Sequence, residues 1–342
     1  MLIINSFKPF YIDKENKVIR MGNFKDSGKE IEYEDDSLIK LFNMLSEPIE
    51  REDLVNGMEE GSDLTKEDIN AAIDYLIDEG FIIDNDDYNN LIKDNRLNRQ
   101  KLYFSMCSDH IENWNIEKQP NILILGLGGV GSNASVLLSR AGFNTFTLVD
   151  CDVVEESNLI RQLPYTENDI GKKKTDVMLE HLKDNCNVKT INKRIEKEED
   201  IEEEIKKADF VLCTLDKPSR VIRRLINNVC VRYKKPVIFS GFAEHVAMIG
   251  PFIEPSKSAC LKCIERDRLD EPLDNVKITP SYGPLCLLIS SIVSNEIINY
   301  FYKFNDNNLI GKTLMINMLT YEQNIIEWEK KNDCEVCGSD SK

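Results

Sequence analysis

Apolar positions along this chain follow two rhythms, one of period two and one between three and four, and the switches between them divide it into elements. Near the start, residues 7–12 (FKPFYI) and 17–22 (KVIRMG) read as short strands, separated by the turn-prone run Asp13-Lys14-Glu15-Asn16. Asp36 or Ser37 then caps a helix that places Leu38, Leu41, Phe42 and Leu45 on one face and stops near Pro48. Residues 50–60 suggest a second short helix. A third begins after Thr65, with Asp68 three residues on in an imperfect capping box, carries Ile69, Ile73, Leu76 and Ile77 as its stripe, and ends at Gly80. Phe81-Ile82-Ile83 opens a strand, and Asp84–Asn98, rich in Asn and Asp, reads as a linker. Strands, three short helices and a strand pair are the order of a winged-helix-like α+β domain, with bounds at 1–94.

From Pro120 the texture changes. Residues 121–129 (NILILGLGG) form an apolar strand running into a glycine loop, 132–142 a helix with a glycine end, and 144–150 (NTFTLVD) a second strand. Residues 209–213 and 236–241 are further strands, each preceded by a helical pattern, and 285–298 read as an apolar helix. Strands alternating with helices predict an α/β domain with a Rossmann-like, doubly wound parallel sheet over 95–342.

Charge changes the picture of the first domain. The chain carries a net −17. Residues 1–94 hold 10 Lys/Arg against 24 Asp/Glu, a balance of −14, which leaves −3 for the other 248 residues. Such a surface repels a phosphate backbone, so nucleic acid is excluded as a partner in favour of a neutral or basic polypeptide. No run approaches the ~18–20 apolar residues of a membrane span, and the first residues lack the pattern of an export signal. A cytoplasmic protein without a membrane partner is expected, whose ten cysteines are thiols or metal ligands rather than disulfides.

The glycine loop carries the first chemistry. Gly126, Gly128, Gly129 and Gly131 lie between strand and helix, where a tight turn, close approach of a phosphate and close helix packing each require glycine. Asp150 ends the next strand, placed to accept from ribose hydroxyls. This much says nucleotide, against a purely structural glycine turn, and does not say which. The residues after it narrow the choice: Asp150, Asp152, Val153, Ser157, Asn158, Leu159, Arg161 and Gln162 run in order, followed by Gly171 and Lys174. This string, over roughly residues 95–337, resembles the ubiquitin-activating-enzyme superfamily, which includes the ThiF/MoeB sulfur-carrier adenylyltransferases. The resemblance implies ATP as the nucleotide, with Asn158, Arg161 and Lys174 on its β- and γ-phosphates, Asp152 and Gln162 beside them, and Asp216 on Mg²⁺. Upstream, Arg96-Leu97-Asn98-Arg99-Gln100 resembles a segment whose second arginine reaches the ATP of the other subunit. Arg99 therefore implies a homodimer with a site completed in trans.

Cys260/Cys263 and Cys334/Cys337 are two CxxC pairs, 70 residues apart. Four thiolates suit a closed tetrahedral Zn²⁺ site of structural kind, against two unrelated or redox pairs. The loop 264–284 contains no cysteine to act as a thioester-forming nucleophile, and Cys286 beyond it reads as a core residue. Extension, arginine-bearing linker, nucleotide motifs, cysteine-free loop and CxxCG end together resemble the MccB group, makers of microcin C-type peptide antibiotics. That resemblance implies an N-terminal clamp for a short ribosomal peptide, ending in Asn in the group's prototype, and attachment of AMP to its C-terminus. The alternatives are a sulfur-carrier adenylyltransferase recognising a Gly-Gly end, and a non-catalytic scaffold for precursor peptides.

Overall fold

The computed structural model describes residues 1–22, 28–93, 96–107, 118–215, 219–265 and 280–338. The chain divides into two compact units, Met1–Asn115 and Ile116–Lys342.

In the first unit, β1 (Leu2–Ile4) is followed by a meander of β2 (Phe10–Asp13), β3 (Val18–Met21) and β4 (Lys29–Glu32), paired antiparallel in that order. Three helices come next: α1 (Ser37–Met44), α2 (Arg51–Glu59) and α3 (Lys66–Asp78). Thr65 and Asp68 close a complete capping box at the start of α3, so the shorter Asp side chain serves where Glu is usual. Ile19 and Met21 of β3 bury with Leu41, Phe42, Leu54, Ile73 and Phe81 in one core. Two expectations are corrected here. The strand after Gly80, β5 (Ile82–Asp84), pairs with β1 rather than with a following strand, and Phe81–Ile83 are buried. The stretch taken as a linker contains α4 (Asn85–Ile92), whose N-cap Asp84 accepts from the Asp86 amide at 2.7 Å. Its Asp-rich first turn is favourable at the positive end of a helix, which outweighs the low helix propensity of Asn and Asp. Helix α5 (Asn98–Cys107), which carries Arg99, packs on α4.

In the second unit the sheet order is β13-β12-β11-β10-β9-β6-β7-β8 among the described residues. The parallel part is β6 (Asn121–Leu125), β7 (Thr145–Asp150), β8 (Asn187–Asn192), β9 (Phe210–Cys213) and β10 (Val237–Ala243). It is wound by α6 (Gly131–Arg140), α7 (Lys174–Leu182), α8 (Glu202–Lys207) and α9 (Ser219–Arg232). The expected doubly wound sheet is present but is extended by an antiparallel edge that the alternation rule did not foresee: β11 (Val246–Ile253), β12 (Lys312–Asn317) and β13 (Gln323–Glu327). A five-residue helix, α10 (Leu261–Glu265), carries Cys263 with Cys260 just before its start, and α11 (Gly283–Tyr302) packs on α6, β10 and β11. Helix α11 is apolar and long enough to cross a membrane, yet Leu285, Ile289, Val293 and Ile297 are buried against the sheet, as in a core helix. The order switches between β6 and β9, so a crevice opens outside their carboxyl ends, where open α/β sheets bind ligands.

Candidate nucleotide site and cysteine cluster

The glycine loop fills that crevice. Gly126 has φ +94°, and a Cβ there would lie 2.8 Å from Thr214 Oγ1. A Cβ on Gly131 would lie 1.9 Å from the Gly126 carbonyl, and one on Gly129 would lie 2.7 Å from Cys286 Sγ. Protein atoms therefore account for three of the four glycines. Gly128 differs: a Cβ there would meet nothing within 4 Å, leaving room on the outer side of the loop. Space at the second glycine, above the N-terminus of the ten-residue α6, fits a phosphate that needs close backbone approach.

The loop is pinned from beneath by residues that sequence reasoning missed. Asn133 donates to the carbonyls of Gly129 (2.6 Å) and Arg161 (2.9 Å) and accepts from the Leu163 amide (3.2 Å). Tyr165 donates to the Leu127 carbonyl at 2.9 Å, and Thr214 Oγ1 donates toward those of Leu125 and Gly126 at 3.1 and 3.0 Å. The one available signal was the polar pair Ser132-Asn133 at the start of the helix, directly after the glycine loop. A buried Asn or Ser at such a place needs backbone partners.

Asp150 sits at the tip of β7, buried, with Oδ2 accepting from the Leu127 amide (2.6 Å) and Oδ1 from the Asp152 amide (2.7 Å). Burial pushes its carboxyl pKa up, while the Lys174 charge and the two amides pull it down. Lys174, at the start of α7, has a side chain only 7% exposed, and its Nζ lies 3.2 Å from Asp152 Oδ2. Asp152 itself is open to solvent. Asn158 is buried and closes the turn at 155–158 by accepting from the Glu155 amide at 3.2 Å. Arg161 lays its stem over Gly129 and donates from Nη1 to the Ser157 carbonyl at 2.6 Å. The structure thus brings the four glycines, Asp150, Asp152, Asn158, Arg161, Gln162 and Lys174 to one end of the sheet. Gln162 Oε1 and Thr175 Oγ1 are buried there without a partner among the described residues, unspent polar atoms that a bound ligand or water would satisfy. Asp216 lies outside the described residues. Arg99 is exposed on α5, in the other unit. Cys286 is buried under Gly129, and burial raises its thiol pKa against the pull of Arg161, as suits a core thiol and not a nucleophile.

The two CxxC pairs meet. Their four Sγ atoms lie within 4.8 Å of one another, with Cys260–Cys334 at 3.7 Å and Cys263–Cys337 at 3.4 Å. Zn–S bonds of ~2.3 Å in a tetrahedron place sulfurs about 3.8 Å apart, so the donor set fits zinc. The Lys331 amide points at Cys263 Sγ (3.5 Å), and a Cβ on Gly338 would collide with the carbonyls of Asn332 and Cys334 at 2.4 and 2.5 Å. The cluster ties the end of the chain to α10. Cys260→Ser and Cys334→Ser are each expected to abolish stoichiometric zinc in the purified protein and to lower Tm, since metal binding is coupled to folding. Metal analysis beside a thermal melt checks this, and full zinc in both variants would contradict it.

A strand–glycine-loop–helix unit, with a buried acidic tip and two cations beside it, marks a nucleotide-binding α/β protein. The chain belongs to the ThiF family, whose model matches residues 108–336. It is 27% identical over 223 residues to the sulfur carrier protein ThiS adenylyltransferase of Escherichia coli, covering 64% of this chain and 85% of that one. It is likewise 27% identical over 224 residues to the molybdopterin-synthase adenylyltransferase of the same organism, covering 65% and 88%. Among solved structures, E. coli MccB with ATP superposes with a TM-score of 0.80 at 22% identity, covering 98% of this chain and 99% of that one. MccB has also been solved with MccA.

Proposed function

We propose that this chain, an adenylyltransferase of the ThiF type, uses ATP to adenylylate the C-terminal carboxylate of a short peptide, in the manner of peptide-nucleotide antibiotic synthesis. The observation that carries the nucleotide half of the reading is Lys174, a nearly buried cation beside a glycine loop that leaves room for a phosphate at Gly128. The peptide half is supported by extent. The family model begins at residue 108, so the first unit is additional to it, whereas the likeness to MccB, a protein solved with MccA, spans almost the whole chain.

ATP supplies the α-phosphorus that the carboxylate attacks and the pyrophosphate that leaves. The glycine loop and the α6 N-terminus hold the phosphates, and Asp150 takes the ribose. Arg161, Lys174 and Asn158 offset the charge that grows on the leaving group, where fixed donors contribute most. Gln162 and Asp152 line the same wall, and Asp216 holds Mg²⁺. The zinc held by Cys260, Cys263, Cys334 and Cys337 is structural. The acidic first domain, bounded at residue 94, grips the peptide, and β2, the outer strand of its three-stranded sheet among the described residues, is the edge for strand addition. A cytoplasmic homodimer belongs to the same reading.

The test is mass spectrometry of a synthetic pool of short peptides ending in asparagine, incubated in turn with ATP, CTP and GTP. The expected outcome is a nucleotide-monophosphate adduct on a subset of the pool, made with ATP. A second reading, favoured by the sequence relatives, is adenylylation of a sulfur-carrier protein. Full-rate adenylylation of a Gly-Gly-ended carrier, with no adduct on any peptide, would replace the first by the second.

A further inference from the structure

One half-buried cation at the carboxyl ends of the strands has no counter-ion among the described residues. Arg223, on α9, donates from Nη2 to the Ser240 carbonyl at 2.9 Å. The strand register shows where that places the guanidinium. The Pro236 carbonyl accepts from the Val211 amide of β9, so alternate carbonyls of β10 face β9. The last β9 residue in the pairing is Cys213, opposite Phe239, so the Ser240 carbonyl lies beyond the end of β9. Arg223 supplies the donor that the neighbouring strand no longer offers. Its head therefore lies past the carboxyl end of β9, the strand after which Thr214 holds the Gly126 carbonyl. Two strand spacings, ~10 Å, separate β10 from β6 and its glycine loop.

The neighbouring arginines of α9 are spoken for: Arg224 pairs with Glu265, and Arg232 with Glu198 and Glu202. Arg223 has no carboxylate partner among the described residues, and its Nε is buried with none of any kind. The guanidinium leans toward the Phe239 ring, 6.0 Å from its centroid, and a Cβ on Gly241 would come within 3.1 Å of Nη2. Gly241 thus leaves the head room. Partial burial of an uncompensated charge is costly, and a planar guanidinium fork fits a carboxylate in two-point fashion.

We propose that Arg223 seats the terminal carboxylate of the peptide substrate, holding it against the α-phosphate. The inference rests on the peptide reading above. Two anions must meet for the reaction: a carboxylate oxygen bonds the α-phosphorus, the bond from that phosphorus to its bridging oxygen breaks, and pyrophosphate leaves. A guanidinium at the attacking end reduces their repulsion, as Arg161 and Lys174 do at the leaving end.

The test compares retention of the asparagine-ended peptide pool, prepared as free acids and as C-terminal amides, on the immobilised full chain. Wild type is expected to favour the acids by roughly 10- to 100-fold, the size of a charge-assisted hydrogen bond. Arg223→Gln should erase that preference while ATP affinity stays within about twofold. Gly241→Ala, which crowds the head but keeps the charge, should weaken it and guards against misfolding of the first variant. An acid preference that survives in both folded variants overturns the assignment and leaves the peptide reading standing. Loss of ATP affinity in Arg223→Gln also overturns it, since the guanidinium would then serve the nucleotide. If wild type retains neither form, the peptide reading fails and this inference with it.

Discussion

Replacing Lys174 by Ala is expected to lower peptide-dependent ATP–pyrophosphate exchange by roughly 10²–10³, with Arg161→Ala close behind, as loss of one preorganised donor to a charged transition state typically does. The geometry makes Lys174 the more damaging loss. Its side chain is almost enclosed, and its ammonium lies beside Asp152 and within electrostatic reach of buried Asp150. On the function proposed above, removing it would take away the charge facing the leaving pyrophosphate, and it also removes the cation that most favours the ionised form of Asp150. Burial already raises the Asp150 pKa, and without Lys174 it rises further, so the ionised fraction falls at any given pH. The acid limb of the exchange profile should therefore move to higher pH in Lys174→Ala, a shift that Arg161→Ala should not reproduce. Arg161 is more exposed and, among the described residues, donates to a local carbonyl. Near-normal exchange in both variants would remove these two residues from the site.

How much of this was legible in the sequence depended on whether the signal was local. The capped α3, the β6–loop–α6 unit and the two CxxC pairs were readable because each depends on residues a few positions apart: a cap and its stripe, a loop of closely spaced glycines, paired thiols on a tight turn. The antiparallel edge was not readable. In β13, four of the five residues are exposed, so no alternation marks it, and its pairing with β12 is set by a turn at 318–322. The partnership of β1 with β5 joins residues some eighty positions apart, which periodicity cannot report. At the site, the Gly and Arg/Lys positions were legible as motifs. Asn133, Tyr165 and Thr214 were not, because they act through backbone carbonyls and their residue types carry no chemistry of their own. Arg223 was hidden for a related reason: in a sequence it is one of several α9 arginines, and only the strand register singles it out.

Arg99→Ala alone should cost exchange activity by a factor similar to Lys174→Ala, yet mixing the two inactive proteins is expected to restore about a quarter of wild-type activity. The reasoning starts from Arg99 being exposed on α5, in the unit that does not contain the glycine loop. Family resemblance has this arginine reach the nucleotide of a partner subunit. An apolar surface around Arg161 suits such a partner: Ile160 is 66% exposed, Leu163 61% and Tyr282 59%, with Gly283 packed on the Ile160 carbonyl. In a twofold dimer each site would combine Lys174 of one chain with Arg99 of the other. A mixed dimer then holds one site with both residues intact and one with neither. Random exchange makes half of the dimers mixed, so about one site in four recovers. If Arg99 served its own chain, every site in every dimer would lack one residue and no activity would return. Subunit exchange has to be verified separately, by tagging one variant and recovering the other with it. Absence of rescue in a demonstrably mixed population would return Arg99 to its own subunit and remove the reason for a site shared between chains.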